Sequence, residues 1–229
     1  MKTIGLLGGM SWESTQTYYQ ALNQGIKAEL GGFHSARIAM FSVDFAEIEA
    51  LQHRGLWQET GDILTRAAQG VEAAGADFLM IGTNTMHKVA EQVEAGIGIP
   101  LLHIADATAA RLKQNGVSKV GLLGTRFTME QMFYRGRLEQ QGIEVLVPSA
   151  EQQTLVHDII YQELCQGQVL SESRARYLDV MEALVEQGAQ GVILGCTEIG
   201  MLVKAEHTGI PLYDTTAIHA EAAVKQALS

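Results

Sequence analysis

The chain repeats itself at half its length. Residues 75–85 read GADFLMIGTNT and residues 188–198 read GAQGVILGCTE. Each is an apolar run opened by Gly-Ala and closed by a small polar triplet, and the two align without a gap. Two shorter echoes keep nearly the same spacing: Lys2–Gly9 (KTIGLLGG) with Ser118–Thr125 (SKVGLLGT), and Gly98–Leu102 (GIPLL) with Gly209–Tyr213 (GIPLY). The offsets are 113, 116 and 111 residues, so one half of the 229-residue chain copies the other. Each half has about 110 residues, within the range of a single domain. The expected organisation is therefore a first half of residues 1–101 plus 213–229 and a second half of residues 102–212. The C-terminal helix is expected to cross back to the first half. One difference between the copies carries chemistry: Thr83 in the first stands where the second has Cys196.

Within each half, short apolar runs alternate with helical patterns. Strands are expected at Thr3–Leu7, Arg37–Val43, Asp77–Ile81 and Pro100–Ile104, then at residues 119–123, 143–147, 191–194 and 211–213. Between them fall helices at Trp12–Leu30, Ile63–Ala74, His87–Ala95 and residues 105–115, 128–141, 151–166, 171–187 and 216–228. Strands separated by helices mean βαβ units and mainly parallel sheets. Apolar runs without alternation mean strands covered on both faces. The fold class is thus α/β, with two pseudo-symmetric Rossmann-like domains and an active site in the cleft between them. Three prolines and no Ser/Gly-rich stretch leave no flexible linker, so a rigid junction near residue 102 is expected.

Composition narrows the partners. A formal net charge of −10 with no compensating basic stretch argues against nucleic acid or an anionic membrane surface. The first apolar run, Ile4–Met10, is too short for a secretion signal, and no later run is long enough to span a bilayer. Two cysteines 31 residues apart give neither a zinc pattern nor a disulfide framework, which suits the cytoplasm.

Open parallel sheets bind ligands beyond the carboxyl ends of their strands, and the polar triplets all lie there. Gly8-Gly9-Met10-Ser11 follows the first strand, and Gly124-Thr125-Arg126 follows its sister. Thr83-Asn84-Thr85 and Cys196-Thr197-Glu198 close the repeated runs. Backbone N–H groups at such turns can cradle a carboxylate or phosphate. The first turn is not G-x-G-x-x-G and no Walker sequence occurs, which disfavours a nucleotide. Cys165, on a helical stretch, reads as a small buried hydrophobe. Cys196, in a Gly-Cys-Thr-Glu turn mirrored by another polar triplet, reads as catalytic. Asn84, Thr85 and Thr197 are candidates for a substrate α-carboxylate, with helix capping as the plain alternative. Ser11, Thr125, Met10, Gln52 and Arg126 are further candidates to line the site. His87 is placed to order the Thr83 turn, and Glu198 either to orient Cys196 or to cap the helix after it.

GLLGGMSWEST at the start, N-T-M-H from residue 84 and GCTEIG around Cys196 together resemble the aspartate/glutamate racemases over essentially the whole chain. The resemblance implies two pseudo-symmetric α/β domains and inversion at the α-carbon of an amino acid without a cofactor or metal. In that pattern a cysteine after each sister strand works on one face of the α-carbon, one abstracting a proton and the other donating. This chain departs from the pattern at Thr83. A thiol has a pKa of about 8.5 that its surroundings can lower. An aliphatic hydroxyl is a far weaker acid, so Thr83 is expected to donate a proton rather than abstract one. Cys196 is then the base.

The resemblance also implies an arginine after the second strand and a lysine in a second-domain helix for aspartate-specific members. Here Glu49 falls near the first place and Cys165 at the second, leaving Arg126 as the leading counter-charge for an acidic side chain. The expected activity is racemisation of aspartate or glutamate by a homodimer. Three other readings stay open: broad specificity for neutral or polar amino acids, a single-cysteine decarboxylase, and an inactive amino-acid-binding homologue.

Overall fold

The computed structural model describes all 229 residues as two compact units, Met1–Ala107 with Thr216–Ser229, and Thr108–Thr215. The sequence repeat places these boundaries at 101/102 and 212/213; the division by contacts falls at 107/108 and 215/216.

The first unit runs β1 (Ile4–Gly8), α1 (Trp12–Leu30), β2 (Ile38–Ser42), α2 (Phe45–His53), α3 (Trp57–Ala73), β3 (Phe78–Ile81), a 3-10 turn Thr85–Val89 and α4 (Ala90–Ala95). Its sheet has the order β2-β1-β3 and is wholly parallel, with Leu6 opposite Met40 and Met80. Every residue of β1 and β3 is buried, as expected of strands covered on both faces. Alternation divides them. Leu7, Leu79 and Ile81 face α2 and α3 with Ile48, Leu64, Ala68 and Val71. Ile4, Leu6, Phe78 and Met80 meet Tyr18, Leu22 and Ile26 of α1.

The helix α5 (Ile104–Gln114) leads into the second unit, where β4 (Lys119–Gly124), α6 (Arg126–Glu130), α7 (Met132–Glu139), β5 (Glu144–Leu146) and α8 (Ala150–Gln162) follow. A 3-10 turn Leu164–Gln166, α9 (Ser171–Glu186), β6 (Val192–Gly195), α10 (Ile199–Leu202), a 3-10 turn Ala205–His207 and β7 (Leu212–Asp214) complete it. The parallel sheet has the order β5-β4-β6-β7. Leu123, Val192 and Leu194 pack on Val156 and Ile160 of α8 and on Tyr177, Val180 and Leu184 of α9. The last helix, α11 (Thr215–Leu228), belongs from Thr216 onward to the first unit, where Ala220, Ala223 and Val224 join the cluster around Tyr18.

The second sheet repeats the order β2-β1-β3 as β5-β4-β6 and adds β7. Sister strands β1 and β4 are central in each, and β3 and β6 lie beside them. Four points of the sequence reading need correction. Pro100–Ile104 is not a strand: it makes a single parallel bridge, Leu79 with Leu101, because Ile104 already begins α5. The helix expected at 128–141 is two helices, broken where Gln131 turns extended (φ −92°, ψ 150°). The helix expected from His87 opens as a 3-10 turn, and α2 was not foreseen.

Candidate active site

The repeated apolar runs end in matching turns. Gly82 follows β3 and donates its N–H to the Leu7 carbonyl at 2.8 Å, where a Cβ would stand at a tight 3.1 Å from that oxygen. Gly195 ends β6, and a Cβ on it would stand 2.7 Å from the Leu123 carbonyl of β4. Each glycine lets the chain pass close to the neighbouring strand of its own sheet, and the next residue is Thr83 in one unit and Cys196 in the other. Both are half-buried at the carboxyl end of their sheet.

In the first unit, Asn84, Thr85 and His87 are buried, and Asn84 makes no side-chain cap to the 3-10 turn it precedes. Capping is thus not what Asn84 does. His87 Nδ1 lies 2.8 Å from the Thr83 carbonyl, and its Nε2 accepts the Ile104 N–H at 3.2 Å. Gln52 of α2 is buried and directs its amide to the Met86 sulfur at 3.7 Å. In the turn after β1, Met10 is buried. Ser11 caps α1, accepting the Ser14 N–H at 3.3 Å, and Ser14 in turn donates to the Gly82 carbonyl at 3.1 Å. The turns after β1 and β3 are therefore tied together.

In the second unit, the Cys196 thiol donates to Glu198 Oε2 at 2.9 Å. Glu198 is buried and makes no side-chain cap to α10. Burial pushes the thiol well above its ordinary value, the adjacent Glu198 carboxylate pushes it further, and Cys165 adds in the same direction. The resting sulfur is thus a thiol with an acceptor in place, not the standing thiolate that a helix N-terminus or a cation would give. Tyr177 belongs to the apolar cluster on which Cys196 packs, and its hydroxyl donates to the Val156 carbonyl at 2.9 Å. Burial raises the Tyr177 phenol well above its ordinary value, with Cys196, Glu163 and Cys165 adding to the effect. Cys165 therefore shares the electrostatic surroundings of Cys196 and packs on the same apolar cluster, which its helical sequence context does not reveal.

The remaining candidates are placed as follows. Thr125 is buried and caps α6 through the Thr128 N–H at 3.4 Å. Thr197 is half-buried beside Cys196. Arg126 is exposed, its guanidinium 3.2 Å from Thr154 Oγ1 and 3.7 Å from Glu130. No group of three or more His, Cys, Asp or Glu side chains is arranged to hold a metal ion, and no helix is long and apolar enough to cross a membrane. Sequence reasoning missed two residues near the Thr83 turn, His103 and His219. Both are buried and contribute to the field at His87.

Residues 7–223 match the Asp/Glu/hydantoin racemase family. The chain belongs to that family. It is 24% identical over 231 residues to the broad specificity amino-acid racemase RacX of Bacillus subtilis, covering 99% of this chain and 98% of that one. Among solved structures it is similar to a Yersinia pestis protein assigned to the Asp/Glu racemases, with 56% identity, a TM-score of 0.95 and full coverage of both chains. It is also similar to an aspartate racemase homologue from Pyrococcus horikoshii OT3, at 33% identity and a TM-score of 0.86, again over the whole of both chains. The racemase fold therefore extends over the whole chain.

Proposed function

We propose that the protein is an amino-acid racemase working without pyridoxal phosphate, with aspartate and glutamate as its first substrates. Cys196 and Thr83 serve opposite faces of the α-carbon. The observation that carries this reading is the pairing of a thiol with a carboxylate, Cys196 with Glu198 at 2.9 Å, at the position whose sister is Thr83. Glu198 takes the thiol proton, and the thiolate so formed abstracts the α-hydrogen. The carbanion then receives a proton on the other face from the Thr83 hydroxyl, directly or through water; solvent restores the hydroxyl, and Glu198 gives its proton up to solvent. In the reverse direction Thr83 is a poor base, so the two enantiomers turn over at unequal rates although their equilibrium is unchanged. Asn84, Thr85 and Thr197 hold the α-carboxylate. The cytoplasm as its place and a homodimer as its assembly belong to the same proposal.

A second reading has its own support. Glu163, Cys165 and Glu198 surround the Cys196–Tyr177 region, and no lysine stands at position 165. An unpaired side-chain carboxylate is costly to desolvate, so these surroundings favour a neutral or polar side chain. Similarity to a broad-specificity racemase along the whole chain fits this reading. One experiment ranks both: α-proton exchange in deuterated water, followed by NMR over both enantiomers of a panel of amino acids. Exchange should be lost in Cys196→Ala and kept in Cys165→Ala. Exchange at the wild-type rate in Cys196→Ala would end the cysteine mechanism. Carbon dioxide release from a malonate with no amino-acid exchange would favour the decarboxylase instead.

A further inference from the structure

Three buried histidines from separate segments meet edge to face beside the Thr83 turn. The His87 ring lies 4.4 Å from that of His103 and 6.0 Å from that of His219, centroid to centroid. Their hydrogen bonds fix every tautomer. A backbone N–H can only donate and a carbonyl can only accept, so the ring nitrogens have no choice. His87 Nε2 receives the Ile104 N–H at 3.2 Å, hence its proton is on Nδ1, which donates to the Thr83 carbonyl at 2.8 Å. His103 Nδ1 receives the Ala105 N–H at 3.1 Å, which puts its proton on Nε2. His219 Nε2 donates to the Leu102 carbonyl at 2.8 Å, and its Nδ1 receives the Tyr18 hydroxyl at 3.0 Å.

We infer that this cluster is a positioning device for Thr83, in which His87, held in its Nδ1–H form, anchors the Thr83 carbonyl and so aims the hydroxyl that follows the strand. His103 and His219 pack the ring in place from the segment before α5 and from α11. A charged His87 would set an Nε2–H against the Ile104 N–H, so the device works only when neutral. Burial, with His103 and His219 close by, keeps His87 well below the ordinary imidazole value.

The inference rests on Thr83 being in the proton path, and its test separates the two ideas. Asparagine places an amide nitrogen where His87 Nδ1 lies, and glutamine places a carbonyl where Nε2 lies. His87→Asn thus keeps the bond to Thr83, while His87→Gln keeps only the bond from Ile104. In His87→Gln, inversion should fall roughly 10- to 100-fold, the scale expected when a reacting group is misplaced by about 1 Å. Exchange with retention on the Cys196 face should persist. His87→Asn should recover most of the inversion rate. Nitrogen-15 shifts of the wild-type protein should report His87 as Nδ1–H and the other two rings as Nε2–H. The Thr83 carbonyl carbon shift should move in His87→Gln but not in His87→Asn. Equal damage in both variants, inversion unaffected in His87→Gln, or an Nε2–H form of His87 would overturn the inference. If the wild-type protein exchanged no α-proton at all, the racemase reading would fail, and the tautomer and carbonyl shifts would still decide the anchor.

Discussion

Cys196 donates its thiol hydrogen to Glu198 at 2.9 Å, across a single intervening residue at the end of β6. Burial first, and this pairing second, raise the Cys196 thiol well above its ordinary value. A thiol so raised stays protonated at neutral pH, and in the proposed mechanism the carboxylate against it is the base that releases it.

Glu198→Gln therefore separates two effects that usually move together. Removing the negative charge lets the Cys196 thiolate form at lower pH, so the midpoint for alkylation of Cys196 should shift downward. Racemisation should nonetheless fall by about 10²-fold, the lower end of general acid–base contributions, because nothing remains to take the thiol proton. Alkylation followed by mass spectrometry across pH, set beside initial rates, checks both. A variant with unchanged midpoint and unchanged rate would leave Glu198 outside the mechanism.

Arg126 offers a test of substrate side-chain recognition. Its guanidinium is exposed and directed to Thr154 and Glu130, so it is already engaged on the surface of α6 and α8. Arg126→Ala should affect acidic and neutral amino acids alike and destabilise the fold by less than about 1 kcal/mol, as for other exposed ion pairs. A loss of kcat/KM confined to aspartate and glutamate would restore Arg126 as the counter-charge.

The histidines behind Thr83 predict how stability varies with pH. Burial holds the His219 imidazole down at about 4, against about 6.5 in an unfolded chain. The unfolded state binds the extra proton in this window, so the stabilisation is complete above pH 6.5 and is lost as pH falls towards 4. The full loss from His219 is roughly 3 kcal/mol, and His87, shifted in the same direction, adds to it. His219→Gln keeps a donor for the Leu102 carbonyl and should flatten this decline by about one proton taken up on unfolding. Denaturant titrations from pH 7.5 to 4 check it. An unaltered slope in the variant would mean that His219 does not stay neutral in the fold.

Much of the architecture was legible because the repeat and the unbroken apolar runs speak directly to duplication and buried parallel strands. Trp12–Leu30 is a helix over its full expected length because its apolar residues Tyr18, Leu22 and Ile26 recur at helical spacing and Ser11 caps its start. The segment after Pro100 misled for the opposite reason: it echoes a strand of the second half, yet Ile104 enters α5 and leaves one bridge at Leu101. At the site, Thr83 and Cys196 stood out as sister positions. What Glu198 does depended on a side-chain direction, which spacing alone does not fix. His103 and His219 were illegible for a deeper reason. Each is a lone histidine in its own segment, and only the return of α11 to the first unit brings His219 beside His87.

The most direct test of the account is the initial rate from pure L and pure D substrate, measured for the wild-type protein and for Thr83→Cys. A hydroxyl at residue 83 can donate a proton but is far outside the pKa range of a working base, whereas a thiol can do both in a side chain smaller by one methyl. The slower direction should accelerate by at least about tenfold, within the scale of acid–base contributions, and the ratio of the two rates should move towards one. If both rates and their ratio stay unchanged, residue 83 lies outside the proton path, and the assignment of Thr83 and Cys196 to opposite faces of the α-carbon is wrong.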